Sequence, residues 1–470
     1  MRLILLILAL VTCASSLATD NPLPDGVRRA LDVRGVPHDT ISIFVTDVES
    51  GETLLSWLPD EPRNPASTIK LLTTLAALDL LGPAYRWRTE IYALGTVSNG
   101  NLDGDLLIKG YGDPFLVTER VWQMLRNLRN LGVEHIDGDL LLDDSWFEVA
   151  EHDPAAFDRQ PLRAYNVAPN SLLMNFKVVR YWFEPVHETN SVRVSVDPAL
   201  ENLRVENKLR LVPGACRGYQ RGIAITPNSG NDLMTLSGRF PAGCERYALD
   251  RTVLTHNDYV WGLVSGLWRQ SGGSVSGGWR KAVAPVDEEP LLEFPSLSLA
   301  ESIARINKHS NNVMARQLMY TLSAEVNGAP GTEEGGRKVI LDWLTERGID
   351  SARLVLDNGA GLSRQSRITA RDMASLLTFA WQQPYMPEYL ASMSLSGLDG
   401  TLRRRFRDAA LAGKAHMKTG SLDHVTAVAG FLQARSGRRY AVVALHNHED
   451  IHRGPGEEVQ EALLRWLHEQ

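Results

Sequence analysis

What this 470-residue chain lacks narrows its class before any motif is considered. Its 49 basic and 56 acidic residues are interspersed and sum to a net charge of −7, and the one arginine run, Arg403 to Arg405, is short enough to be a solvated loop or helix face. With no basic stripe to meet a phosphate backbone, nucleic acid is excluded as a partner. Past its first residues the chain has no apolar run near the roughly 20 residues that span a bilayer, which excludes a multi-span membrane protein. Fixed-period repeats and low-complexity tracts are also missing, so neither a solenoid nor a biased tail is expected. Cysteine is scarce, at three residues, and so is lysine, at nine. What is present is 44% hydrophobic residues, enough for real cores, over a length that allows roughly two to four domains.

The N-terminal stretch MRLILLILALVTCASSLATD has a basic residue at Arg2, an apolar segment from Leu3 to Val11, and small residues around Ser16 and Ala18. That order is the signature of a secretory signal, with residues 1–18 removed and the protein exported to the periplasm. An uncleaved anchor is the alternative, but the apolar segment is about half of spanning length, so membrane association is peripheral at most. Cleavage after Ala18 leaves Cys216 and Cys244, which in an oxidising compartment either close one disulfide or stay as two buried thiols.

ISIFVTDVESGETLLSW reads as a strand from Ile41 to Val48, a turn at Ser50 and Gly51, and a strand from Thr53 to Trp57. A helix opening at Ser67 follows and stops at Gly82-Pro83. Near the other end KAHMKTGSL, VTAVAGFLQA and RRYAVVALHN are three strand candidates, and GEEVQEALLRWLHE has helical periodicity. Strands and helices at both ends imply one antiparallel sheet closed by the two termini and flanked by helices, an α/β (α+β) fold interrupted by an insertion. From about Arg88 to Pro285 the texture changes to short strand-like runs separated by Gly, Pro, Asp and Asn, too long a stretch to lack its own core. The chain therefore divides into the signal at 1–18, a catalytic domain at 19–87 and 286–470, a second domain at 88–190 and 252–285, and a nested β-rich third domain at 191–251.

Within PASTIKLLTTLAAL, Ser67 and Lys70 are three apart, so on a helix they share a face. In the first turn the serine oxygen also lies near unpaired backbone N–H groups that favour negative charge. The pair reads either as an activated nucleophile with its base or as a helix cap followed by a surface lysine. Of the nine lysines only Lys70 has a serine three residues before it. Two other segments shift the balance: NKHSNNVMARQL carries Ser310 and Asn312 at the start of an amphipathic helix, and HMKTGSL carries Lys418, Thr419 and Gly420 on a candidate strand.

Together these complete the S-x-x-K, S-x-N and K-T-G set, and at this point the chain resembles the penicillin-recognising serine enzymes. About 240 residues separate Ser67 from Ser310, and the E-x-x-x-N deacylation motif of class A β-lactamases is not evident between them. The long insertion and the segments YGDPFL, YNVAPNSLLMNF, DNGAGLSRQSRIT and GLDGTLRRRF are similar to the D-alanyl-D-alanine carboxypeptidase/endopeptidases of the penicillin-binding protein 4 type. The resemblance implies a penicillin-binding domain split by a second domain that holds a third. It implies that Ser67 becomes acylated, Lys70 acts as its base, Ser310 relays a proton, and Asn312 holds the substrate amide. Lys418 and Thr419 would bind the terminal carboxylate, Gly420 would admit the substrate backbone, and the N–H groups of Ser67 and Ser421 would form the oxyanion hole. No cofactor is implied. The implied partners are peptidoglycan stem peptides and cross-links, and β-lactams as covalent inhibitors. A β-lactamase or esterase on the same scaffold, and a non-catalytic wall-peptide binder, are the competing readings.

Three weaker features complete the set. Arg364 either faces the substrate or is a turn arginine. Asp143 or Asp144 either meets a cationic peptide side chain or ends a strand. HNHEDIH, with His446, His448, Asp450 and His452, has an extra residue relative to binuclear zinc sites and no distant ligands, so it is read as a polar loop with no metal.

Overall fold

Alternation along the strands explains how a near-continuous apolar run can be useful. In the segment Val425–Gln433, Ala427, Ala429 and Phe431 enter one core while Val428 and Leu432 enter another on the opposite face. Arg439–Asn447 repeats the pattern, with Ala441, Val443 and Leu445 on one side and Val442 and Ala444 on the other. Such strands must be covered on both faces. The computed structural model describes residues 22–218, 222–408 and 410–470 and shows that coverage. The expected signal at 1–18 lies outside the described residues.

The central sheet is antiparallel and six-stranded, in the order Ser394–Leu395, Ala415–Leu422, Val425–Gln433, Arg439–Asn447, Ile41–Asp47, Thr53–Trp57. Both chain ends therefore meet in it, with Ile41 opposite His446 and Asp47 opposite Tyr440. One face packs on the first helix, Asp25–Arg34, and the last, Pro455–His468, through Val27, Leu31, Leu463 and Leu467. The other face packs on Lys70–Leu81, Leu299–His309, Asn312–Asn327 and Ala370–Trp381. Lys70–Leu81 is buried from Lys70 to Leu78, as suits a helix that is apolar all round, and Gly82 ends it as the sequence predicts.

The inserted lobe has its own core, running from Ile91 to Phe294 in sequence. Its main sheet has seven strands, and the strand pairings run past the expected edges. Leu292–Ser298 pairs with Arg86–Ser98, so the lobe's sheet continues beyond Pro285, where Pro295 obscured the strand in the sequence. Likewise Val179–Val186 pairs with both Ser191–Asp197 and Tyr247–Arg251, so the β-rich part begins before residue 191. Cys216 and Cys244 are disulfide-bonded there. Among the described residues no helix is long and apolar enough to cross a membrane.

The lobe is clamped to the helix Asn312–Asn327. Gln317 exchanges hydrogen bonds with Asn170, donating to its carbonyl at 2.9 Å and accepting its backbone N–H at 2.9 Å. Trp87 Nε1 donates to Thr321 Oγ1 at 2.9 Å, and Gly331 pairs with Trp146 and Glu148 through backbone bonds of 2.9 Å.

Candidate active site

Ser67 lies in a 3-10 turn, Ala66–Ile69, that leads into the helix beginning at Lys70, so the helix opens three residues later than expected. Ser67 makes no capping bond at either element's start, which removes the helix-cap alternative. Several segments distant in sequence hold the turn. Asn64 Oδ1 accepts from Ala66 N at 2.8 Å, Asn64 N donates to Asn447 Oδ1 at 2.7 Å, and Asn64 Nδ2 donates to Ser363 O at 2.9 Å. Ala66 itself has φ of 43°, a left-handed conformation that costs a non-glycine residue on the order of 1 kcal/mol and is sustained only by such surroundings.

Lys70 is fully buried, and its Nζ has three neighbours: Ser67 Oγ at 3.0 Å, Asn312 Oδ1 at 2.6 Å and the carbonyl of Ala360. Two of these are carbonyl oxygens, which only accept. A neutral amine has two N–H groups for them and one lone pair left for the Ser67 hydroxyl. Burial, and then the charge of Lys418, push the Lys70 amine well below its ordinary range, which favours that neutral form.

Ser310 caps the helix Leu299–His309 in a left-handed conformation, φ 56°, and sits at the junction with the helix Asn312–Asn327. The sequence placed the S-x-N motif at a helix start, and the junction explains how Ser310 and Asn312 project into one place. Lys418, also fully buried, donates to Ser310 Oγ at 2.9 Å and to Thr419 O at 2.6 Å. Burial lowers its pKa to about 7. Among the described residues, the strand carrying it, Ala415–Leu422, pairs on its outer side with only Ser394 and Leu395, opposite Met417 and His416. From Lys418 onward that edge is open to an added strand.

Gly420 has a packing role besides the one that the resemblance implies. A Cβ there would lie 2.6 Å from Pro65 O and 3.0 Å from Ser67 N, so the missing side chain lets the strand approach the nucleophile turn itself. Gly361 does the same from the other side: its φ is 76°, and a Cβ would lie 2.0 Å from Ala66 O.

Ser67, Ser310, Asn312, Arg364 and Ser421 line one recess of about 410 Å³. Arg364 pairs with Asp423 at 3.1 Å and lies 4.9 Å over the ring of Phe157. Asp143 is not there. It is buried, accepting from Ser145 N at 2.9 Å and Ala284 N at 2.8 Å, and it stabilises a chain crossing in the inserted lobe. Asp144 is turned to Asn170 and Lys281. The carboxylate that the lobe does bring to the recess is Asp158, with Phe157, Gln160 and Tyr165 beside it. Sequence reading did not single out Phe157, Asp158 and Gln160, which lie in an aperiodic segment, and Tyr165 is the first residue of YNVAPNSLLMNF, which carries the resemblance but was not read as part of the site.

HNHEDIH does not form one cluster. His446 is buried against Thr40, at 2.9 Å, and is held neutral by burial, which lowers its pKa to about 3. Asp450 and His452 instead meet His424, with candidate ligand atoms within 4.8 Å of one another. Both imidazoles accept a backbone N–H at Nδ1, from Asp450 at 3.1 Å and His424 at 2.9 Å. That leaves Nε2 protonated on each, which is unsuited to metal ligation.

Comparison with known proteins agrees with the geometry. Residues 28–470 match the model of the D-Ala-D-Ala carboxypeptidase 3 (S13) family. A D-alanyl-D-alanine carboxypeptidase of Actinomadura sp. (strain R39) is 30% identical over 411 residues, 84% of this chain and 75% of that protein. The crystal structure of penicillin-binding protein 4 from Haemophilus influenzae superposes with a TM-score of 0.79 at 21% identity, covering 94% of this chain and 99% of that one. A penicillin G-acylated predatory endopeptidase of Bdellovibrio bacteriovorus is similar at a TM-score of 0.52 and 15% identity, covering 91% and 90%. With two buried lysines bonded to two serines of one recess, and a family match that spans nearly the whole sequence, this chain belongs to the D-Ala-D-Ala carboxypeptidase 3 (S13) family.

Proposed function

We propose that this serine-type D-Ala-D-Ala carboxypeptidase acts on peptidoglycan, removing terminal D-alanine from stem peptides and opening D-alanyl-diaminopimelate cross-links through an acyl-enzyme on Ser67. The observation that carries the assignment is the arrangement around Lys70, whose two acceptor-only neighbours leave its lone pair for the Ser67 hydroxyl.

Ser67 Oγ attacks the carbonyl carbon of the penultimate D-alanine and passes its proton to Lys70 Nζ. The N–H groups of Ser67 and Ser421 stabilise the resulting oxyanion. The C–N bond then breaks as the proton held by Lys70 passes through Ser310, which Lys418 orients, to the leaving nitrogen, and the Lys70 amine is neutral again. Lys418 and Thr419 attract the terminal carboxylate, and the open strand edge and Asn312 hold the peptide backbone. Water, with its proton removed by the same amine, hydrolyses the ester and frees Ser67. Asp158 and Arg364, not Asp143, meet the side chain of the acyl residue. β-Lactams present a carboxylate and a strained carbonyl to the same groups and are trapped at the ester stage. Export to the periplasm, which the segment 1–18 supports, brings the enzyme to this substrate.

Intact-mass analysis after incubation with benzylpenicillin tests the assignment, with one adduct per chain expected on the peptide containing Ser67 and none in Ser67→Ala. An adduct that survives that substitution rules the nucleophile out. Sustained turnover of a chromogenic cephalosporin, in place of a stoichiometric burst, would favour a β-lactamase instead.

A further inference from the structure

Two hollows flank Ser310. One runs past Ser421 and Asp423 to Arg364 along the end of the motif strand. The other opens on the far side of Ser310 into a cleft of about 1010 Å³ between the catalytic domain and the inserted lobe. The two spaces share Tyr165, Ser310 and Asn312 in their linings, so they adjoin at those residues. The larger one has no use in releasing a single amino acid, since a cavity of that size lies at the top of the roughly 300–1,000 Å³ range that suits a whole drug-sized ligand.

We propose that this cleft, with Phe115 and Phe176 on one wall and Ser310 at its mouth, receives the leaving peptide strand of a cross-link. The inference rests on the peptidase reading above and adds where the second strand goes. Direction follows from Ser310. If its hydroxyl delivers the proton to the departing nitrogen, the atoms beyond that nitrogen lie on its outer side, and there the cleft begins. The walls have the composition that a stem peptide needs. Phe115 and Phe176 meet edge-on with centroids 6.0 Å apart and offer apolar surface, and the guanidinium of Arg305 lies 4.2 Å over the Phe115 ring. Glu119, His309 and the ion pair of Arg180 with Asp250, at 2.7 Å, present both signs of charge to a strand that itself carries amine and carboxylate groups. Free D-alanine would leave through the mouth without reaching any of them.

The test compares three activities of the full mature chain: penicillin acylation, D-alanine release from a monomeric pentapeptide muropeptide, and cleavage of a cross-linked muropeptide dimer. Phe176→Ala removes the apolar wall, and Glu119→Trp, at an exposed helix position, obstructs the cleft with little risk to folding. Both variants are expected to lose at least tenfold in kcat/KM for the dimer while acylation and D-alanine release stay within about twofold. Unchanged dimer cleavage in both variants overturns the proposal, as does a parallel fall of all three activities. A wild-type enzyme that releases D-alanine yet leaves dimers intact overturns this inference alone, whereas one that is neither acylated nor active on the pentapeptide removes the peptidase reading beneath it.

Discussion

Lys70 and Lys418 are both buried and within each other's field, so on the mechanism proposed above the pair holds one proton in the competent state: Lys418 charged for the carboxylate, Lys70 neutral for Ser67. Loss of that proton sets an alkaline limb. Because burial brings Lys418 to about 7, the second-order rate of acylation should fall above that pH. For a free-enzyme group of pKa about 7, the charged fraction drops from about one half at pH 7 to about one hundredth at pH 9, a loss of roughly 50-fold. Lys418→Arg holds its proton at every working pH, so its absolute rate falls with altered geometry but its profile should be flat across that window. Stopped-flow measurement with a fluorescent penicillin from pH 5.5 to 9.5 reads both curves, and a depsipeptide whose carboxylate is amidated should lack the limb even in the wild type. A wild-type profile that stays level to pH 9, or a Lys418→Arg variant with the same alkaline midpoint as the wild type, would refute the assignment of the limb to Lys418.

Three further outcomes are expected. Lys70→Arg cannot present a lone pair to Ser67, so acylation should fall by on the order of 10²-fold or more at every pH, whereas a competent variant removes Lys70 as the base. Gly420→Ala places a methyl 2.6 Å from Pro65 O and should displace the nucleophile turn, lowering acylation by about 10²-fold with the circular dichroism spectrum retained; a near-normal rate would mean that the strand yields easily. Lys418→Met should be more stable than the wild type at pH 7. A lysine lowered from 10.5 to about 7 costs about 5 kcal/mol, offset in part by two lost hydrogen bonds of about 1 kcal/mol each. The sign follows from proton counts: between pH 7 and 10.5 the unfolded chain binds more protons at this site, so wild-type stability rises with pH there and the difference from Lys418→Met should shrink. Denaturant midpoints at pH 7 and 9.5 check both statements, and a less stable variant at both pH values would contradict them.

Much of this site was legible because its groups are set by short spacings on regular elements. Ser67 with Lys70, Ser310 with Asn312, and Lys418 through Gly420 each occupy one turn or one strand, where separation in sequence fixes direction in space. The strands from Ala415 to Asn447 were equally visible, since β-branched and apolar runs between turn residues leave little choice. Other parts of the site left no such trace. The Ala360 carbonyl that holds Lys70 is a backbone group, identical in every residue type. Phe157, Asp158 and Tyr165 reach the recess from a long irregular segment whose path is decided by how the lobe docks on Gln317 and Arg316, not by local pattern. Asp143 was plausible for its place at a strand end, but the backbone N–H groups of Ser145 and Ala284 engage it first. The 3-10 turn at Ser67 was hidden for a similar reason, because Pro65, Asn64 and Gly361 impose it from outside the apparent helix.

The turn that carries Ser67 also has a consequence for how the protein is made. Ser67 leaves the ribosome early, yet the groups that shape its surroundings are Ala360, Gly361, Gly420 and Asn447, the last of them within the final 30 residues or so. The inserted lobe, with a core closed between Ile91 and Phe294, is complete long before then. A chain interrupted between Phe294 and Asn447 thus contains a finished lobe and a Ser67 turn that lacks its last support. On the mechanism proposed above, catalytic competence arrives with the last strand, and an unfinished molecule holds Ser67 without the groups that shape its turn.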